Sequence, residues 1–126
     1  MAAKIVLLLA LFTGLARADR VFELRTYTCA DGKLEALEAN FREHTIALLK
    51  RHGIESVAYW VARAPKNTLV FVLAYPSIEA AKQSWAAFLA DPEWKQVAAA
   101  TLARYGDVVT HVDSVFMNPT DFSPLK

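Results

Sequence analysis

The order of hydrophobic patterns predicts an α+β chain whose elements run β-α-β-β-α-β, a four-stranded antiparallel sheet with its helices on one face. Three observations carry that reading: a helical stripe follows the first strand, two apolar runs parted by a turn come next, and a second helical region leads into a last strand. This order is the ferredoxin-like plan.

Ahead of these elements lies a segment that does not belong to the fold. Lys4 precedes the apolar run Ile5–Ala16, and Ala16, Arg17 and Ala18 put small residues where a signal peptidase reads. The segment 1–18 reads as a secretory signal cleaved after Ala18, leaving one domain over 19–126 that is secreted or periplasmic. A retained anchor is the alternative, but the run is short of the about 20 residues that span a bilayer, so no membrane association is expected after cleavage. Cleavage takes two of the 14 basic residues, Lys4 and Arg17, and leaves the 13 acidic ones, turning the formal charge from +1 to about −1. That balance argues against nucleic acid, which needs clustered Lys and Arg in excess. Cys29 is the single cysteine, so no intramolecular disulfide and no paired zinc spacing exist.

The first strand is "VFELRTYT", Val21–Thr28, in which Glu23, Arg25 and Tyr27 project to one side and Phe22, Leu24 and Thr26 to the other. A helix is expected from Lys33 to His52, with Leu34, Leu37, Phe41, Leu48 and Leu49 on its apolar stripe. Asp31 or Gly32 is placed to cap its start, and Gly53 to form a left-handed C-terminal cap. Ile54–Arg63 and Thr68–Tyr75 follow as strands around the turn "APKN". Both are apolar on successive positions, the pattern of strands buried on both faces. Ser77 caps a helix with the stripe Ile78, Ala81, Trp85 and Phe88; "DPEW" restarts it, with Asp91 as cap and Pro92 in the first turn. Gly106 ends it, and Asp107–Met117 reads as the fourth strand.

Helices on one side leave the other face of the sheet open. With apolar residues on both sides of the middle strands and no spare helix, a second copy packed sheet against sheet is the economical cover. A free face of merely mixed character is the alternative.

"FELRTYT", "HTIALLKRHG", a strand ending in "YW", "LAYPSIEAA", "DPEW" and "NPTDFSP", in that order, resemble the NIPSNAP family from about Phe22 to Pro124. The resemblance implies a homodimeric α/β-barrel of ferredoxin-like subunits and no particular reaction. Glu23, Arg25 and Tyr27 match its strand-one motif, Arg51, His52 and Gly53 its helix-end motif, and Trp60 and Tyr75 its aromatic positions. Ala58 stands where a glycine is usual, which would narrow any pocket formed there.

Two readings of the strand-one row compete. In one, it lines a ligand pocket, Arg25 gripping a carboxylate and Glu23 acting as a base if burial raises its pKa. In the other, Glu23 and Arg25 neutralise one another, within the chain or across the dimer. His44, His52 and His111 lack convergent metal spacing, so no metal or cofactor is implied. Aromatic residues including Phe71, Trp85, Phe88 and Trp94 are either core or the wall of a cavity for a flat ligand. The candidate ligand-binding set is Glu23, Arg25, Tyr27, His44, Trp60 and Tyr75. The expected function is binding of a small hydrophobic or aromatic ligand. Alternatives are a cofactor-independent or haem-associated monooxygenase-like enzyme and a protein-interaction platform.

Overall fold

The computed structural model describes residues 18–126; the signal reading for the preceding segment lies outside the described residues. The chain forms β1 (Val21–Cys29), α1 (Leu34–Asn40), a π-helical turn (Phe41–Thr45), α2 (Ile46–Arg51), β2 (Glu55–Val61), β3 (Thr68–Tyr75), α3 (Ile78–Ala90), α4 (Pro92–Tyr105) and β4 (Val109–Met117). The sheet is antiparallel in the order β2-β3-β1-β4, so β1 and β3 are its centre. The ferredoxin-like expectation holds in order and in topology.

Register decides what shares a face. Glu23, Arg25 and Tyr27 lie opposite Leu73, Phe71 and Leu69 on β3 and opposite Phe116, Ser114 and Val112 on β4. This face carries the helices, and Phe71, Leu73, Tyr75, Leu48, Leu49, Ala81 and Phe88 are buried between the layers. Tyr27, Phe41, Tyr59 and Phe71 form an aromatic cluster there, with Tyr27 and Phe71 at 5.0 Å and Phe41 and Phe71 at 5.2 Å between ring centres.

Local signals place the helices. The Ser77 hydroxyl accepts from the Ala80 N–H at 3.1 Å, and Asp91 accepts from the Glu93 N–H at 2.9 Å with Pro92 in the first turn of α4. Asp91 also accepts from His52 at 2.7 Å and Arg51 at 3.2 Å, tying the end of α2 to the α3–α4 corner. Gly53 adopts φ 76° directly after the helix end, as its position suggests.

Three expectations differ from what is found. The first helix is not one regular α-helix, since the π turn divides it. It has no side-chain cap; Asp31 instead accepts from Asn67 at 2.8 Å and fastens the β2–β3 turn. Most consequentially, β2 is not buried on both faces. It is an edge strand, so Trp60 and Val61 are exposed, and only the central β3 is buried as its composition suggests.

The face away from the helices carries Leu24, Val70, Val72, Ala58, Trp60 and Val115 by register. The C-terminal segment returns over one end of it. Ser123 and Leu125 line a recess with Phe22, Val72 and Met117, and Arg20 Nε donates to the Lys126 carbonyl at 2.8 Å. Trp60 and Val115, each 54% exposed, lie on this face.

Candidate functional site

The sheet and the helices part enough to leave a cavity of about 420 Å³ between them, within the usual range for small-molecule sites. Its floor is Arg25 and Tyr27 of β1 and Phe71 of β3, with Val109 and Val112 of β4 at one side. Phe88, Leu89, Trp85 and Trp94, from α3 and α4, form another wall. The third comes from the first helix, where Leu37, Asn40, Phe41, Thr45 and Leu49 bracket the π turn. Turns of this kind recur at functional sites. Here Phe41 and Thr45 themselves belong to the turn and reach the cavity.

Behind Arg25, outside the cavity lining, stands a buried carboxylate. Glu23 is only 1% exposed. Its Oε2 accepts from Arg25 Nη1 at 2.7 Å and Ser114 Oγ at 2.5 Å; its Oε1 accepts from Tyr75 Oη at 2.5 Å and takes a share of the single Trp85 indole N–H, which lies 2.7 Å from Tyr75 Oη and 3.1 Å from Glu23. Each residue arrives for a plain reason: Arg25 by strand alternation, Ser114 by its place opposite Arg25 on β4, Tyr75 at the end of β3, and Trp85 from the inner stripe of α3. Burial alone would raise the Glu23 pKa, but the bonds from Ser114 and Tyr75 and the charge of Arg25 outweigh it and hold it below the ordinary value. The Tyr75 phenol moves the other way, raised by burial and by its bond to Glu23. For Arg25, Tyr27 and Glu23 outweigh burial's downward push and keep it firmly cationic.

Arg25 is the charged group that reaches the cavity wall. Besides Glu23 it binds Tyr27, whose hydroxyl accepts from Nε at 3.3 Å and from Nη2 at 3.1 Å. Its guanidinium lies 4.5 Å from the centre of the Trp85 ring, a cation–π contact that fixes its plane further.

The structure thus joins the two readings of the strand-one row. Glu23 and Arg25 do neutralise one another within the chain, and Arg25 and Tyr27, though not Glu23, line a partly open cavity on the helix side. Of the candidate set, Glu23, Arg25, Tyr27 and Tyr75 come together. Trp60 does not join them: it projects from the opposite face of the sheet, because its pairing with Val70 sets it one residue out of phase with Tyr59. Ala58 is on that opposite face too, so its methyl does not narrow this cavity. His44 lies in an outer groove with Gln96 and Arg104, its Nε2 3.9 Å from Glu43. His52 serves Asp91 and His111 neighbours Asp113, so the histidines have separate surroundings. Burial does not raise the Glu23 pKa on balance, which removes the condition for a basic role.

Sequence reasoning missed Ser114 as a partner of Glu23 and Asn40 and Thr45 as wall residues. Ser114 is separated from Glu23 by 91 positions, and only the β1–β4 register brings them together. That register cannot be read from either strand alone.

No curated protein matches the chain. Among solved structures, a NIPSNAP family protein of unknown function from Agrobacterium tumefaciens is 28% identical with a TM-score of 0.74, covering 86% of this chain and 95% of that one. An uncharacterised NIPSNAP-like domain protein from Burkholderia xenovorans is 21% identical with a TM-score of 0.73, over 83% and 89% of the two chains. A putative antibiotic biosynthesis monooxygenase from Nitrosomonas europaea has a TM-score of 0.60 at 13% identity, covering 89% of this chain and 99% of that one, a likeness of fold alone. The NIPSNAP family profile matches residues 22–124. The chain belongs to the NIPSNAP family.

Proposed function

We propose that the chain is an exported binding domain that takes one small, largely apolar or aromatic molecule into its helix-side cavity, and that it works as a homodimer joined through the open sheet face. The observation that carries the binding reading is the cavity itself, about 420 Å³ walled by aromatic and aliphatic side chains with a fixed polar corner. Such a combination of apolar walls and few oriented polar groups is what small-molecule sites have in common.

Binding is favoured over turnover by the state of the ionisable groups. Glu23 is buried, takes bonds from Arg25, Ser114 and Tyr75, and has a lowered pKa, so it is a poor proton acceptor. Tyr75, with its raised pKa, is equally poor as an acid. The dimer reading is supported by Trp60 and Val115, large apolar side chains exposed on one side of the sheet. Export is supported by the leader, its basic residue, apolar run and small-residue cleavage site.

Filling the cavity tests the binding reading. Thermal melts are run with a panel of neutral and anionic two-ring aromatics, on the wild type and on the double variant Leu89→Trp/Val112→Trp, which crowds the cavity from two walls. Some member of the panel should raise the melting temperature of the wild type and not of the variant. A panel that stabilises neither, or both equally, contradicts the reading.

A further inference from the structure

We propose that the occupant of this cavity is an aromatic carboxylate, its ring between the aromatic walls and its carboxylate on Arg25 and Tyr27. The inference rests on the binding reading above and names the ligand class.

The polar corner is made of donors. A guanidinium has five N–H groups, and Arg25 engages Nε–H and one N–H on each terminal nitrogen with Glu23 and Tyr27. One N–H on each terminal nitrogen therefore remains for a ligand. The Tyr27 hydroxyl accepts both of its bonds from Arg25, so its own hydrogen is directed elsewhere, and Tyr27 lines the cavity. Glu23 adds no acceptor, because it is buried behind Arg25 and does not line the cavity. At the Arg25 corner a ligand donor finds only the Tyr27 hydroxyl, which already accepts twice, whereas acceptor oxygens find the unused Arg25 N–H groups and the Tyr27 hydrogen.

Charge points the same way. Ser114, Tyr75 and Trp85 share the Glu23 charge with Arg25, so Glu23 does not depend on Arg25 alone. Arg25, by contrast, has one anionic partner among the described residues. A carboxylate bound to guanidinium N–H groups forms the charge-assisted bonds for which arginine geometry is suited. The rest of the ligand is set by the walls: Trp85, Trp94, Leu89 and Val112 keep accessible apolar surface toward the cavity, while Phe41, Phe71 and Phe88 are buried behind it as packed support.

The test compares 2-naphthoate with 2-naphthamide, which keeps the shape and loses the charge, by titration against full-length mature protein. The carboxylate should bind at least about tenfold more tightly, the worth of one charge-assisted hydrogen bond. Tyr27→Phe, which leaves the Glu23–Arg25 pair in place, should weaken naphthoate several-fold and naphthamide distinctly less, since a neutral carbonyl accepts the Tyr27 hydrogen more weakly than a carboxylate. Naphthamide binding as tightly as naphthoate, or a Tyr27→Phe variant that weakens both alike, overturns the carboxylate assignment while leaving the cavity a binding site. If neither compound binds and the wider aromatic panel fails as well, both the assignment and the binding reading fall.

Discussion

Glu23 and Arg25 are costly residues to bury, and their surroundings say why they persist. The carboxylate has four donors, the guanidinium has two partners and an indole face, and no buried side-chain polar atom among the described residues lacks a partner. Such a pair contributes little net stability compared with an apolar pair, yet breaking it from one side leaves a buried charge. Arg25→Met should therefore cost about 3–5 kcal/mol in urea melts, and the double variant Glu23→Gln/Arg25→Met should recover a good part of that. Acid gives a second readout. Because folding lowers the Glu23 pKa from 4.5, its stabilisation is complete above about pH 4.5 and fades as pH falls through the lower folded value. The stability difference between wild type and Glu23→Gln should be level above about pH 4.5 and shrink progressively as the pH falls below it; a difference that stays flat into acid contradicts the carboxylate's role.

Among the elements, those with chemical punctuation were legible in the sequence and those defined by hydrogen-bond register were not. Ser77 and Asp91 announce α3 and α4, because a side-chain oxygen before a helical stripe has one obvious use, and both do cap. The π turn left no such mark. Leu37, Phe41, Leu48 and Leu49 are spaced as an uninterrupted α-helical stripe would space them, so the periodicity does not report it. The exposure of β2 was hidden for a related reason: Val57–Ala62 is apolar whether the strand is central or at an edge, and only the order β2-β3-β1-β4 decides. The two caps differ in what else they hold. Ser77→Ala should cost about 1 kcal/mol, the usual worth of a cap. Asp91→Ala should lower the melting temperature further than Ser77→Ala, since it also releases His52 and Arg51 from the α3–α4 corner beside Phe88. Equal shifts in thermal melts would show that the tie to α2 carries nothing.

At the scale of the whole molecule, the two faces of the sheet have divided labour. The helix face holds the polar row and the cavity; the other face keeps Trp60 and Val115 exposed, with the C-terminal segment covering only its Phe22 end. The sequence pattern raised the expectation of cover for that second face, but not that the chain's own tail would supply part of it, because "NPTDFSP" has no periodicity from which to read a docking site. Protein spanning residues 19–126 should sediment as a dimer, and Trp60→Glu/Val115→Lys should sediment as a monomer with its fold intact. A wild type that stays monomeric at micromolar concentration contradicts the dimer.

The central claim, that the helix-side cavity is the binding site, has an internal reporter. The three tryptophans divide between the faces: Trp85 and Trp94 line the cavity and Trp60 lies on the opposite face of the sheet. Titrating the mature protein with 2-naphthoate while following the three indole N–H signals by nuclear magnetic resonance reads all three together. Occupation of the cavity should move the Trp85 and Trp94 signals with one shared saturation curve and leave Trp60 nearly still. Movement of Trp60 alone, or of none of the three at saturating ligand, would contradict it.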